Sequence, residues 1–246
     1  MDKEKAFYAI LAVIVIVGGV AIGAVYYGSV ISANNKSSSI AETTSLTLFI
    51  SSANWFHNGT VSHGQPAYFV VAPNGSLESA ANIVIPAHTK ISLTLIDGDG
   101  YGLTPIVGNN ATSNQTAYAK VTGTIGNTAY CYNYTNINGT LPSPYNNSNN
   151  ISISGGHYIH NLAWQGNSTG GYDIAHTFTV LNSQGNIMLN IPSPGMAIVQ
   201  AQFYMNQTGT FSWQCYVPCG LSFENGGWSG AMTTSGWMLG TVTVVA

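Results

Sequence analysis

Residues 6–28, AFYAILAVIVIVGGVAIGAVYYG, carry no charged side chain. A run of that length matches the roughly 20 apolar residues that a helix needs to cross a bilayer, and it predicts a transmembrane helix with Tyr26 and Tyr27 at the interface, where aromatic rings collect. The run is too long for the core of a signal peptide, and no small-x-small site follows it cleanly; a pilin-like leader cut between Lys5 and Ala6 is the alternative. Beyond residue 28 the period changes. Residues 29–44 are polar and turn-rich, which reads as a linker. Strand-like runs then follow at 46–50, 67–72, 82–85 and 90–96, the last alternating apolar and polar positions as KISLTLI. Alternation sends successive side chains to opposite faces, the signature of half-buried strands. No helical period of any length follows the membrane segment, so the chain is predicted to be all-β: leader 1–5, membrane helix 6–28, linker 29–44 and one exterior domain over 45–246. Within it, residues 98–171 are irregular and rich in Gly, Asn and Pro, with a strand-like patch at 117–124. This stretch reads as a large insertion or loop set, or as a second small β-domain.

Composition narrows the function classes. Only 5% of the 246 residues are charged, with five Lys, no Arg and eight acids. Clustered basic residues that neutralise phosphates are missing, so nucleic acid is excluded as a partner. An acidic medium is one reason to avoid carboxylates, since protonation removes whatever their charge stabilises; a glycosylated exterior protein is the other reading. N-x-S/T sequons stand at Asn35, Asn58, Asn74, Asn110, Asn114, Asn133, Asn138, Asn146, Asn150, Asn167 and Asn206. Their density behind a membrane segment predicts a glycosylated outer face, and hence a C-terminal domain on the exterior side of the cell membrane.

Candidate chemistry gathers near the C-terminus. By strand parity His176 shares a face with Phe178 and Val180, Cys215 with Phe211 and Trp213, and Met238 with Gly240, Val242 and Val244. Each donor thus sits on an apolar, inward parity at a strand end. Thiolate, thioether and imidazole together suit copper better than calcium or magnesium, and suit zinc only if four donors close a tetrahedron. Cys131, Cys215 and Cys219 leave an odd cysteine however they pair, which implies one disulfide plus a thiol, or two thiolates on a metal. Asp97 and Asp99 in IDGDGYG read as a turn rather than a calcium loop, because no downstream acidic ligand follows. Trp55 and Phe56 read as core aromatics or an exposed electron port. No hydrolase pattern emerges.

These residues also carry a resemblance. DIAHTF at 173–178, NIPSPG at 190–195, GTFSWQCYVPCGL at 209–221 and MLGTVTVV at 238–245 resemble the cupredoxin domain of heme-copper oxidase subunit II, a family with a membrane anchor ahead of that domain. The resemblance implies a cupredoxin-like Greek-key β-sandwich and copper ligation by His176, Cys215, Cys219 and Met238, with the Val217 carbonyl as a backbone ligand. It also implies a heme-carrying oxidase subunit and an exterior electron donor as partners. The chain departs from the family pattern in two places: Phe223 stands where the second histidine ligand is expected, and the loop between Cys219 and Met238 is stretched by residues 224–237, which bring Trp228, Met232 and Trp237. His157 and His160 in GGHYIHN are the candidates to replace it. Three readings follow: an altered copper site; a site that has lost copper, as in a quinol-oxidase-like subunit II, with Cys215 and Cys219 disulfide-bonded or reduced; or a structural surface glycoprotein or pilus-like subunit. The expectation is a non-catalytic electron-transfer or accessory subunit.

Overall fold

A computed structural model describes residues 43–51, 65–99, 117–136, 151–160, 174–220 and 227–246. The predicted leader, membrane helix and most of the linker lie outside the described residues, as do Trp55, Phe56 and Phe223. Among the described residues no helix is long and apolar enough to cross a membrane.

The alternating segments fold as expected. The strands are β1 (Thr43–Ser51), β2 (Ala67–Val71), β3 (Leu77–Ser79), β4 (Asn82–Pro86), β5 (Lys90–Asp97), β6 (Ala129–Asn136), β7 (Ile151–Ile159), β8 (Ile174–Leu181), β9 (Ile187–Pro194), β10 (Ala197–Tyr204), β11 (Gly209–Gln214) and β12 (Leu239–Val245). β1 opens at Thr43, inside the span predicted as linker. One sheet runs β3-β2-β1-β5-β10-β6-β7 and the other β4-β12-β11-β8-β9. β1 pairs with β5 in parallel, as β12 does with β4; the remaining neighbours are antiparallel. The inward residues of both sheets form one core, in which Leu48, Ile50, Leu93 and Val199 from the first meet Phe178, Leu189, Trp213 and Val242 from the second. The molecule is therefore a β-sandwich.

The stretch 98–171 contributes β6 and β7, which extend the first sheet through the β6–β10 ladder. The strand-like patch at 117–124 instead opens helical at Ala117 and Tyr118 and goes on through isolated bridges, Thr122 to Asn190 and Thr124 to Phe203. Gly123 sits at φ 75°, which breaks the extended run, and a Cβ there would strike the Met188 carbonyl.

Gly240 marks the tightest contact between β12 and the core. An added Cβ would lie 2.6 Å from Trp213 Nε1 and 2.7 Å from the carbonyl oxygens of Ala80 and Ala81. Overpacking at such a point typically costs about 1–3 kcal/mol. Gly240→Ala is accordingly expected to lower the urea midpoint at unchanged slope; an unchanged midpoint would show that the strand slides freely.

Candidate metal centre

β12, β11 and β8 are adjacent in their sheet, so their ends deliver three chain segments to one pole of the sandwich. His176 lies near the start of β8, Cys215 directly follows β11, and Met238 directly precedes β12. The segments are stitched by backbone bonds: Cys215 N–H donates to the Met238 carbonyl at 2.8 Å, and Tyr216 N–H to Thr177 Oγ1 at 2.8 Å. Continuing the β11–β12 register sets Cys215 opposite Met238 on the inward face shared with Trp213 and Gly240. Gly220 closes the loop after Cys219. Its N–H donates to the Gly227 carbonyl at 2.8 Å, and a Cβ there would collide with the Ser229 carbonyl, so the turn requires glycine.

His176, Cys215 and Cys219 bring their donor atoms within 4.8 Å of one another, and all three are buried. The sulfurs are 3.7 Å apart; His176 Nδ1 lies 3.2 Å from Cys219 Sγ and 3.9 Å from Cys215 Sγ. Metal–sulfur bonds of about 2.3 Å at a tetrahedral angle would place two thiolates about 3.8 Å apart. The observed spacing meets that condition without rearrangement, and it far exceeds the roughly 2.05 Å of a disulfide. Cys131, Cys215 and Cys219 are all free. The Val217 carbonyl is 3.0 Å from Cys219 Sγ and 3.5 Å from Cys215 Sγ, where both thiols can donate to it. Met238 is fully buried, and its carbonyl accepts from the Cys215 N–H. Two soft sulfurs and an imidazole make a donor set that fits copper.

The electrostatics prepare one thiolate. Burial pushes the Cys215 thiol up, but hydrogen bonds from Cys219, His176 and the Thr177 N–H, the last at 3.4 Å, outweigh it and hold Cys215 well below the ordinary thiol range. The Val217 N–H also points at this sulfur at 3.4 Å. Cys219 moves the opposite way, raised by burial and by Cys215. For His176, burial pushes downward, yet the Asp97 charge, the hydrogen bond with Asp99 and the pairing with Cys215 raise it well above its usual value. His176 Nε2 lies 3.2 Å from Asp99 Oδ2, which orients the ring so that Nδ1 faces the sulfurs.

Solved structures similar to this chain include a rusticyanin and a blue copper oxidase. Rusticyanin from Thiobacillus ferrooxidans aligns at 10% identity over 89% of this chain and 91% of its own, with a TM-score of 0.32. A blue copper oxidase from Nitrosomonas europaea aligns at 10% identity over 86% of this chain and 46% of its own, with a TM-score of 0.31. Neither a protein-family model nor a curated protein matches the sequence.

The remaining predicted residues fall elsewhere. His157 stands opposite Cys131 in the β6–β7 ladder, and His160 is exposed with Nδ1 3.3 Å from the Asn127 carbonyl; neither joins the cluster of His176, Cys215 and Cys219. Asn74 and Asn206 are exposed, Asn133 lies in β6, and the other sequons lie outside the described residues. Strand parity locates the sulfur and imidazole donors but misses the carboxylates behind them. Asp97 and Asp99, which read as a turn in the sequence, are both buried, and Asp97 shares its parity with buried Ile91, Leu93 and Leu95. That inward parity is the signal that could have found it. Asp97 also lies in a cross-strand row with Ile50 and Tyr68, whose buried hydroxyl has no hydrogen-bond partner among the described residues.

Proposed function

We propose that the chain is an exterior, membrane-anchored electron-transfer or accessory subunit resembling subunit II of a terminal oxidase, with copper held by Cys215, Cys219, His176 and Met238 and the Val217 carbonyl at its side. The convergence of two sulfurs and an imidazole at tetrahedral spacing in a buried pole carries this reading. Copper, when bound, supplies one-electron chemistry. Cys215 offers a thiolate already stabilised by backbone N–H groups, so little rearrangement accompanies loading. Asp99 accepts from His176 Nε2–H and so leaves Nδ1 as the ring atom facing the ion, which would give up its proton on loading. Burial of the donors excludes water, and the β8, β11 and β12 ladders keep their spacing when charge changes. The uncharged run at 6–28 supports anchorage, and the resemblance supports a heme-carrying partner subunit and an exterior electron donor.

The test is spectroscopic. The full chain in detergent, titrated with copper(II), should develop intense visible absorption and a copper electron paramagnetic resonance signal, both lost in Cys215→Ser. A colourless chain that takes up no copper and carries a Cys215–Cys219 disulfide by mass spectrometry would overturn the metal reading. Co-purification with heme proteins supports the oxidase assignment; assembly into filaments would favour a pilus-like subunit.

A further inference from the structure

The three donors are nearly sealed: His176 is 1% exposed, Cys215 0% and Cys219 5%. An external carrier cannot touch them, so an electron must cross protein to reach the surface. Several aromatic groups stand near enough to be considered. Tyr68 is itself fully buried, packed between the sheets against Trp213, and gives no outlet. Tyr130, Tyr132 and Tyr158 cluster on and around the β6–β7 edge, beside Cys131 rather than the donors. Tyr216 differs, because it follows Cys215 directly in the chain and its ring reaches the partly exposed rim.

There it stacks on Tyr118 with ring centroids 3.8 Å apart and planes 3° from parallel, and Trp228 approaches Tyr216 at 6.3 Å and 62°. Trp228 is 36% exposed. Two free aromatic rings prefer offset or edge-on packing at greater centroid distance, so this face-to-face pair needs something to hold it. A buried chain of hydrogen bonds does so. Asn190 Nδ2 donates to the Tyr118 carbonyl at 2.8 Å and to the Lys120 carbonyl at 2.6 Å. Its Oδ1 accepts from Thr179 Oγ1 at 2.6 Å, Thr179 Oγ1 bonds Thr177 Oγ1 at 3.0 Å, and Thr177 Oγ1 accepts from Tyr216 N–H at 2.8 Å. Thr177, Thr179 and Asn190 are fully buried. Such a polar run in a core is costly unless every group is satisfied, and once satisfied it fixes position. Its two ends are the backbones of the two stacked tyrosines.

We propose that the Tyr216–Tyr118 stack, with Trp228 at its edge, is the port through which electrons pass between the metal centre and an outer-sphere one-electron carrier, and that the Thr177–Thr179–Asn190 chain positions it. The inference rests on the copper reading above. In each encounter one electron leaves the reduced site and the oxidised carrier gains it; no bond is made or broken and no proton moves.

The experiment uses the full copper-loaded chain in detergent, with hexaammineruthenium and hexacyanoferrate as inorganic carriers and stopped-flow detection. Tyr216→Leu and Tyr118→Leu should each slow the second-order rate by more than about tenfold, or roughly 1.4 kcal/mol on the barrier. Their visible and paramagnetic resonance spectra should match the unsubstituted chain, and Tyr158→Leu should leave the rate unchanged. In the metal-free chain the stack itself is read by near-ultraviolet circular dichroism, whose tyrosine signal either variant should lose. Unchanged rates with unchanged spectra would overturn the port. So would a rate loss accompanied by an altered copper spectrum in both variants, which would assign the tyrosines to shaping the site. A chain that binds no copper fails at the titration step, and that failure belongs to the copper reading.

Discussion

Trp213→Ala is expected to cost about 3–5 kcal/mol of stability, the range for deleting a large buried aromatic when the surroundings collapse only in part. Trp213 is 1% exposed and lies between the sheets, with its ring 5.0 Å from Tyr68 and 5.7 Å from Phe178 by centroid. Its Nε1–H donates to the Ala80 carbonyl at 2.9 Å, which ties β11 to the turn before β4. The bare Cα of Gly240 lies against the indole and has no side chain to move into the gap. Collapse is therefore limited, and the upper half of the range is expected in urea denaturation of the metal-free full chain. Trp213→Phe separates the two contributions. It keeps most of the apolar contact but leaves the Ala80 oxygen unsatisfied, at a cost of about 1–3 kcal/mol. A loss below about 1 kcal/mol for Trp213→Ala, well under the usual range, would show that the pole is loosely packed, and the close donor spacing would then lose its structural support. Because Trp213 and Cys215 share one face of the same strand end, the alanine variant should also take up copper more weakly.

What the sequence made legible was whatever alternates. β5 falls where the alternating ISLTLI run places it, β1, β2 and β4 fall on the other strand-like runs, and His176 and Cys215, read on inward parity, meet in one buried cluster. What stayed hidden depends on pairing between distant segments. Asp97 and Asp99 look like turn residues because glycines flank them; only the parallel β1–β5 register and the packing of the two sheets put them behind His176. Tyr118 sits in a stretch that reads as strand-like, yet it is helical, its carbonyl held by the Asn190 side chain and its ring stacked on Tyr216. His157 and His160 look equivalent in the sequence as replacements for a missing imidazole. Strand order decides against their joining the cluster, since β7 is the far edge of the opposite sheet. A linear pattern records which face a residue takes, but not which strand becomes its neighbour.

The second large effect concerns pH. Burial, opposed by His176 and reinforced by Asp99, pushes the Asp97 carboxyl from 3.8 up to about 8. Between those limits the folded chain keeps a proton that the unfolded chain has released, so stability falls as pH rises. The penalty is absent below about pH 4 and fully developed above about pH 8, where a carboxyl moved that far corresponds to roughly 5 kcal/mol. The raised His176 acts in the same direction, its contribution being lost as pH rises through its folded value, whereas the depressed Cys215 acts in the other. Comparison with Asp97→Asn reads the carboxyl together with its coupling to His176, since the amide stays neutral throughout. In the metal-free full chain the two proteins should be nearly equal in urea midpoint at about pH 4.5, and the asparagine variant should be several kcal/mol more stable at about pH 8.5. A stability difference that is the same at both pH values would show that Asp97 is already ionised when folded. The direction suits the nearly charge-free composition: the chain has few carboxylates to lose in acid, and this buried one favours its protonated form.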